Sequence, residues 1–216
     1  MINILLYFSI GLIVFSFICY FLMILFGNKK ITDSNGFDIT KDMISEYNAI
    51  NVIESKNYFS VYNIKRKVIK LSTKCYYGNN LSDISLSLIE AGMSIVDNEK
   101  NKYIDLFRRI FNNLKILYVF PIIAIFINNA TYNVSDAKVS IVFIILFSII
   151  SYMLYGIKSN ACSCINDNIK KVKEINKDNR VKIINFINRI LWLDKFIFLA
   201  ELIMIIRCVL IILNIG

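Results

Sequence analysis

The feature that most constrains this chain is a run without charge from Ile4 to Phe26, 23 residues of almost entirely apolar type. As a helix rising ~1.5 Å per residue, such a run can cross a ~30 Å hydrocarbon core. The charged start and small-residue cleavage site of a signal peptide are missing, and Asn28-Lys29-Lys30 follows instead. A retained anchor with its start outside the cell is the expectation. The alternative is a soluble helical protein that buries this run as a core helix.

Composition favours the bilayer. Of 216 residues 56% are hydrophobic, and the mean hydropathy is +0.57, above the ~45–50% apolar content of ordinary soluble domains. One Pro and seven Gly leave little linker material, and no internal repeat is evident. Three further spans are expected. Ile116 to Ile127 is short and needs extension past Asn128, Val139 to Ile157 is cleaner, and Phe196 to Leu213 is interrupted by Glu201 and Arg207.

The 25 Lys and Arg against 16 Asp and Glu give a formal charge of +9. No basic cluster is interleaved with stacking aromatics, so a nucleic-acid partner is not expected. The charges instead report orientation. Residues 28–115 carry fourteen Lys and Arg, 158–189 carry eight, and the turn 128–138 carries one, which places both long basic segments in the cytoplasm. The predicted organisation is an anchor at 4–26, a cytoplasmic region at 28–115, a membrane hairpin at 116–157, a basic cytoplasmic region at 158–190 and a last span at 191–215. The expectation is a mainly α, multi-pass protein of the cell membrane with about four transmembrane helices and the lipid bilayer as its partner.

The chain has no histidine, which removes histidine acid/base chemistry, a Ser-His-Asp triad and a histidine-ligated metal. The five cysteines, Cys19, Cys75, Cys162, Cys164 and Cys208, are an odd number with two inside expected spans, so a disulfide framework is not expected. Cys162-Ser163-Cys164 reads either as a soft-metal or redox pair or as packing cysteines. Cys75 has no histidine to activate it. Glu201 would face a bundle or a partner, and Arg207, six residues on and ~240° around the helix, would not share its face.

In the first basic region Met43, Ile44, Tyr47 and Ile50 predict an amphipathic helix within 37–50, capped by Asp38 or Thr40. Tyr58 to Asn63 and Lys67 to Ser72 predict a β-hairpin, with Ile69 and Leu71 alternating against Val68, Lys70 and Ser72. Asn80 with Asp83 three residues on predicts a helix start, followed by Leu86, Leu88, Ile89, Met93 and Val96. Glu90 in its middle is either a solvated helix residue or a carboxylate on an apolar face. From Asn166 to Arg189, recurrent Ile169, Val172, Ile183, Ile184 and Ile187 suit an interfacial helix on anionic lipid or a helical hairpin packed on the first region.

This order of elements resembles the YugP-like neutral zinc metallopeptidases of bacterial membranes. Gly36-Phe37-Asp38-Ile39-Thr40 resembles the start of that family's first soluble helix. Tyr62-Asn63-Ile64-Lys65-Arg66-Lys67-Val68-Ile69-Lys70-Leu71-Ser72 resembles its Tyr-Asp-Pro-x-x-x-x-Val-x-Leu-Ser hairpin. The resemblance then puts the family's His-Glu-x-x-His helix on Ile89-Glu90-Ala91-Gly92-Met93, and its Glu-Phe-x-Ala-Ser segment on Lys158-Ser159-Asn160-Ala161-Cys162. It implies a zincin-like helix, a β-hairpin and a degenerate zinc helix in the cytoplasm of a bacterium.

The departures from that pattern remove the chemistry. Two imidazoles at i and i+4 would hold zinc while the intervening Glu serves its water. Ile89 cannot ligate, Met93 offers only a thioether suited to soft metals, and Lys158 brings a positive charge to the third-ligand position. Only the catalytic-type Glu90 remains. The resemblance therefore implies a pseudoenzyme that holds no metal and acts as a binding or regulatory scaffold for a membrane protein or peptide. In this reading Lys158 pairs with Glu90 where zinc would sit, or else snorkels from the end of a span. The rivals are an active zinc peptidase using substitute ligands such as Glu90, Cys162 and Cys164, and an unrelated four-span structural or transport protein.

Overall fold

A computed structural model describes residues 2–47, 50–99, 104 and 119–213. The described chain is mainly helical with one small sheet. It divides into two compact units, one of residues 1–20, 116–155 and 192–216, the other of residues 21–115 and 156–191.

Helix α1 (Ile2–Phe26) opens the first unit. It and the stretch Val134–Lys171 are long and apolar enough to cross a membrane, with mean hydropathies of 2.5 and 2.3. Only 17% of the apolar window of α1 and 33% of the other are buried, less than the mostly buried core helix of a soluble protein. Apolar side chains facing outward suit hydrocarbon rather than water, and these two helices speak for membrane association. A signal sequence would match α1 in length and position.

Leu6, Ser9, Ile13 and Ser16 form the buried seam of α1, spaced by three and four residues, while Phe8, Phe15 and Ile18 point out. The Ser9 and Ser16 hydroxyls donate to the carbonyls of Leu5 and Leu12 at 2.8 and 2.9 Å. Small residues bonded to their own helix allow close packing at no polar penalty. Ile13 joins a core with Ala124, Ala137, Ile144, Phe147, Ala200, Met204 and Cys208.

Of the expected second span the structure describes helix α5 (Val119–Asn129), while residues 116–118 lie outside the described residues. Helix α6 (Val134–Asn168) does not stop where its apolar stretch does, and continues past Lys158. Helix α7 (Lys177–Ile212) likewise begins in the basic region and runs into the last apolar stretch. Charge marks no helix end here because neither helix contains a Pro or an unfavourable cap.

In the second unit, α2 (Gly36–Met43) is shorter than expected, and its N-cap is Asn35, whose side chain accepts from the Asp38 amide at 2.9 Å. Neither Asp38 nor Thr40 caps it. Tyr47 and Ile50 lie in the turns beyond the helix, where Tyr47 N–H donates to Ile44 and Ile50 N–H to Tyr47. Gly36 is required where it stands, since a Cβ there would lie 2.0 Å from the Cys75 carbonyl oxygen.

The hairpin is present. β2 (Val61–Asn63) pairs antiparallel with β3 (Val68–Ser72), with Tyr62 opposite Ile69. Ile69 and Leu71 are fully buried, as the alternation predicts. A third strand, β1 (Asn51–Ser55), pairs parallel with β3, giving the order β1-β3-β2. Its polar sequence and mostly exposed side chains gave no strand signal. Ser72 ends β3 and caps the short helix α3 (Thr73–Tyr77), accepting from the Cys75 amide at 3.3 Å.

Helix α4 (Leu81–Asn98) starts as predicted: Asn80 Oδ1 accepts from the Asp83 amide at 2.8 Å, and Asn80 Nδ2 donates to the Asp83 carboxylate at 2.7 Å. The chain after α1 runs beside this start, with the Leu81 and Ser82 amides donating to Lys29 and Gly27. Nearly all of α4 is buried. Ile169, Val172, Ile183 and Ile187 are buried as well, which matches the packed of the two readings of the second basic region. Thr32 Oγ1 donates to the Glu174 carbonyl at 3.2 Å and Arg180 donates to the Val172 carbonyl at 2.8 Å, binding that region together.

Candidate functional site

The residues aligned with the zinc helix sit at the centre of the second unit. Ile89, Glu90, Ala91 and Met93 on α4 are all buried, Glu90 to 2% exposure. The solvated reading of Glu90 is thereby corrected. Its position follows from the sheet: β2 is an edge strand, and the Tyr62 N–H donates to Glu90 Oε2 at 2.7 Å. A buried edge amide needs an acceptor, and a carboxylate supplies a strong one.

Tyr62 is held twice. Its phenol donates to Asp97 Oδ2 at 2.5 Å, and Asp97, seven residues after Glu90, stands on the same face of α4 two turns along. Two buried carboxylates of one helix thus grip one residue of the hairpin. Sequence reasoning missed Tyr62 and Asp97 as a pair, although the spacing of seven and the tyrosine at the head of the hairpin motif were the available signals.

Gly92 explains how close the neighbouring helix comes. A Cβ on it would lie 2.7 Å from the Ala161 carbonyl oxygen and 2.9 Å from Ile165 Cγ1, so only glycine permits this contact between α4 and α6. Lys158, on α6 in the same unit, is buried to 8% exposure. Cys162 is buried and Cys164 is partly exposed. Cys164 Sγ approaches Glu99 Oε2 at 3.9 Å, and an acidic neighbour is the reverse of the electropositive setting that activates thiols.

Along this stretch of α4 stand an apolar side chain, a carboxylate and a thioether, with the α6 backbone close against Gly92. Among the described residues no group of three or more His, Cys, Asp or Glu converges in a way that could hold a metal ion. Among the described residues no disulfide is formed.

Glu201 and Arg207 belong to the first unit and do not meet. Ser151 Oγ donates to Glu201 Oε1 at 2.8 Å. The Arg207 guanidinium donates to Asn128 O at 2.6 Å, Asn128 Oδ1 at 3.0 Å and Thr131 O at 3.2 Å. Asn128 Nδ2 in turn donates to the Met204 carbonyl at 3.2 Å. Separate partners agree with the ~240° between the two side chains. Comparison with protein-family models, with curated proteins and with solved structures finds no match for this chain.

Proposed function

We propose that this chain is a multi-pass membrane protein that keeps a zinc-peptidase-like scaffold without its catalysis, and that the scaffold binds or regulates a membrane protein or peptide. The spans in this reading are α1, α5, α6 and α7, with both basic regions cytoplasmic by the positive-inside rule. The observation that carries it is the state of Glu90: a carboxylate at the catalytic position, buried, and committed to the Tyr62 amide of the adjacent hairpin. Hydrophobic and thioether side chains at Ile89 and Met93 support the loss of zinc. The sheet packed beside the Glu90 helix favours a peptidase-like ancestry over an unrelated four-span protein.

Lys158 is part of the proposal. The contact of Gly92 with Ala161 and that of Glu99 with Cys164 advance in the same direction along α4 and α6. One turn back from Gly92 and Ala161 stand Ile89 and Lys158, and in this proposal the Lys158 ammonium sits beside Glu90. An ion pair there would replace the charge of the metal. A double-mutant cycle with Glu90→Gln and Lys158→Met should return a coupling above ~1 kcal/mol in unfolding, whereas a snorkelling lysine would return none.

Metal analysis of the purified full-length protein tests the central claim. The expected result is no stoichiometric zinc and no peptidase activity that a chelator abolishes. Zinc at one equivalent, lost together with activity on chelation, would overturn the proposal in favour of an enzyme with substitute ligands.

A further inference from the structure

We propose that Glu201, Ser148 and Ser151 form an intramembrane site for Na⁺, which binds by displacing a proton from the Glu201 carboxyl. The inference rests on α6 and α7 crossing the bilayer as in the reading above, and is independent of the peptidase-like reading of α4.

The carboxylate is fully buried. Its Oε1 accepts from Ser151 at 2.8 Å, while Oε2 has no hydrogen-bond partner. Ser148, one turn before Ser151 on the same face of α6, turns toward the same carboxylate, and its buried hydroxyl also has no partner. The two oxygens are set toward one another without a hydrogen bond of good geometry, beside one satisfied pair, which leaves room in their coordination for a ligand. Buried polar atoms are rarely left so.

Charge balance narrows the ligand. An ionised carboxylate in an apolar interior is costly unless a positive charge neutralises it. Among the described residues no cation makes an ion pair with Glu201. The candidates along α7 are engaged elsewhere. Arg207 donates to Asn128 and Thr131, and Lys195 lies over the Trp192 ring at 4.4 Å. Asp194, two turns before Glu201, brings no cation and has interactions of its own. On α6, Lys138 is exposed and lies ten residues before Ser148, Lys158 lies seven residues after Ser151 in the other unit and has interactions of its own, and the groups that α5 and α1 bring to this unit's interior, Asn128, Ser9 and Ser16, are neutral.

One carboxylate balances one positive charge, so a monovalent ion leaves the site neutral and a divalent ion does not. Carboxylate and hydroxyl oxygens are hard ligands that favour such ions over soft metals. The oxygens come from only three side chains, which suits a small ion better than a large one. The exchange balances as written: Na⁺ enters, and the carboxyl proton leaves to water.

Dicyclohexylcarbodiimide, which reacts with protonated carboxyls in apolar surroundings, tests this on the full chain reconstituted in liposomes, with the adduct located by mass spectrometry. Glu201 should be modified, Na⁺ should suppress the modification, and K⁺ or choline at equal concentration should not. Ser151→Ala should raise the Na⁺ concentration giving half-protection roughly tenfold, the effect of losing one ligand of hydrogen-bond strength. Glu201→Gln should lose the adduct while the protein remains monodisperse. Modification indifferent to Na⁺, equal protection by K⁺, or no adduct at Glu201 would overturn the site while leaving the membrane reading intact. Release of the protein from membranes by alkaline carbonate would overturn both.

Discussion

The two units of this protein solve opposite solvation problems with the same amino acids. In the first, Phe8, Phe15, Val142, Leu146 and Ile206 face outward while Ser9, Ser16, Asn128, Glu201 and Arg207 are inside. In the second, Ile39, Ile69, Leu71, Leu88 and Ile95 are inside, and lysines 41, 56, 65 and 70 are on or near the surface. The difference teaches what burial means in each. Water drives apolar side chains together in the second unit, whereas the first gains from packing small groups closely and from satisfying polar ones internally.

The two buried glutamates sharpen the contrast. Glu90 accepts from a main-chain amide at a sheet edge. Glu201 meets the Ser151 and Ser148 hydroxyls instead, because a helix in an apolar bundle has spent its amides on its own carbonyls.

The largest expected effect separates the units directly. Leu88→Ala, in the centre of α4, should destabilise the second unit by ~2–5 kcal/mol through lost burial and a residual cavity. Leu146→Ala on the outer face of α6 should change stability by less than ~0.5 kcal/mol in a bilayer. Denaturant titration of both variants in the same lipid checks the pair, and equal losses would break the comparison.

A smaller effect probes the double grip on the hairpin. Tyr62→Phe keeps the ring and the main-chain bond to Glu90 but removes the phenol donor from Asp97, for a loss of ~1.5–3 kcal/mol. Hydrogen exchange should report it as faster opening of β2 than of α1. Uniform acceleration of both would show that the units do not unfold separately.

The smallest effect concerns serines. Ser72→Ala removes the cap of α3 and should cost about 1 kcal/mol. Ser16→Ala removes a hydroxyl bonded only within its own helix, and should stay within ~0.5 kcal/mol of the parent in thermal unfolding.

Much of this was legible in the chain. The length of Ile4 to Phe26, the Asn80 and Asp83 helix start and the alternation of Ile69 and Leu71 are local signals, set by periodicity and by hydrogen bonds a few residues long. Less was legible where a partner decides. β1 is polar and mostly exposed, and only its pairing with β3 makes it a strand. The seam of α1 was hidden because its inner face differs from its outer one by two serines rather than by hydrophobicity. The change of composition at Lys158 read as a boundary, yet α6 runs through it.

By itself, then, the sequence determined where apolar length suffices for hydrocarbon, where helices and the hairpin begin, and that no imidazole is present to hold a metal. Only the tertiary structure decided which polar groups are inside. The burial of Glu90 depends on an amide 28 residues away, the closeness of α4 to α6 on a missing side chain at Gly92, and the setting of Glu201 on a hydroxyl 50 residues before it. Periodicity records which way a side chain points along its own helix, and the energy of a buried charge is set by what the rest of the fold brings to meet it.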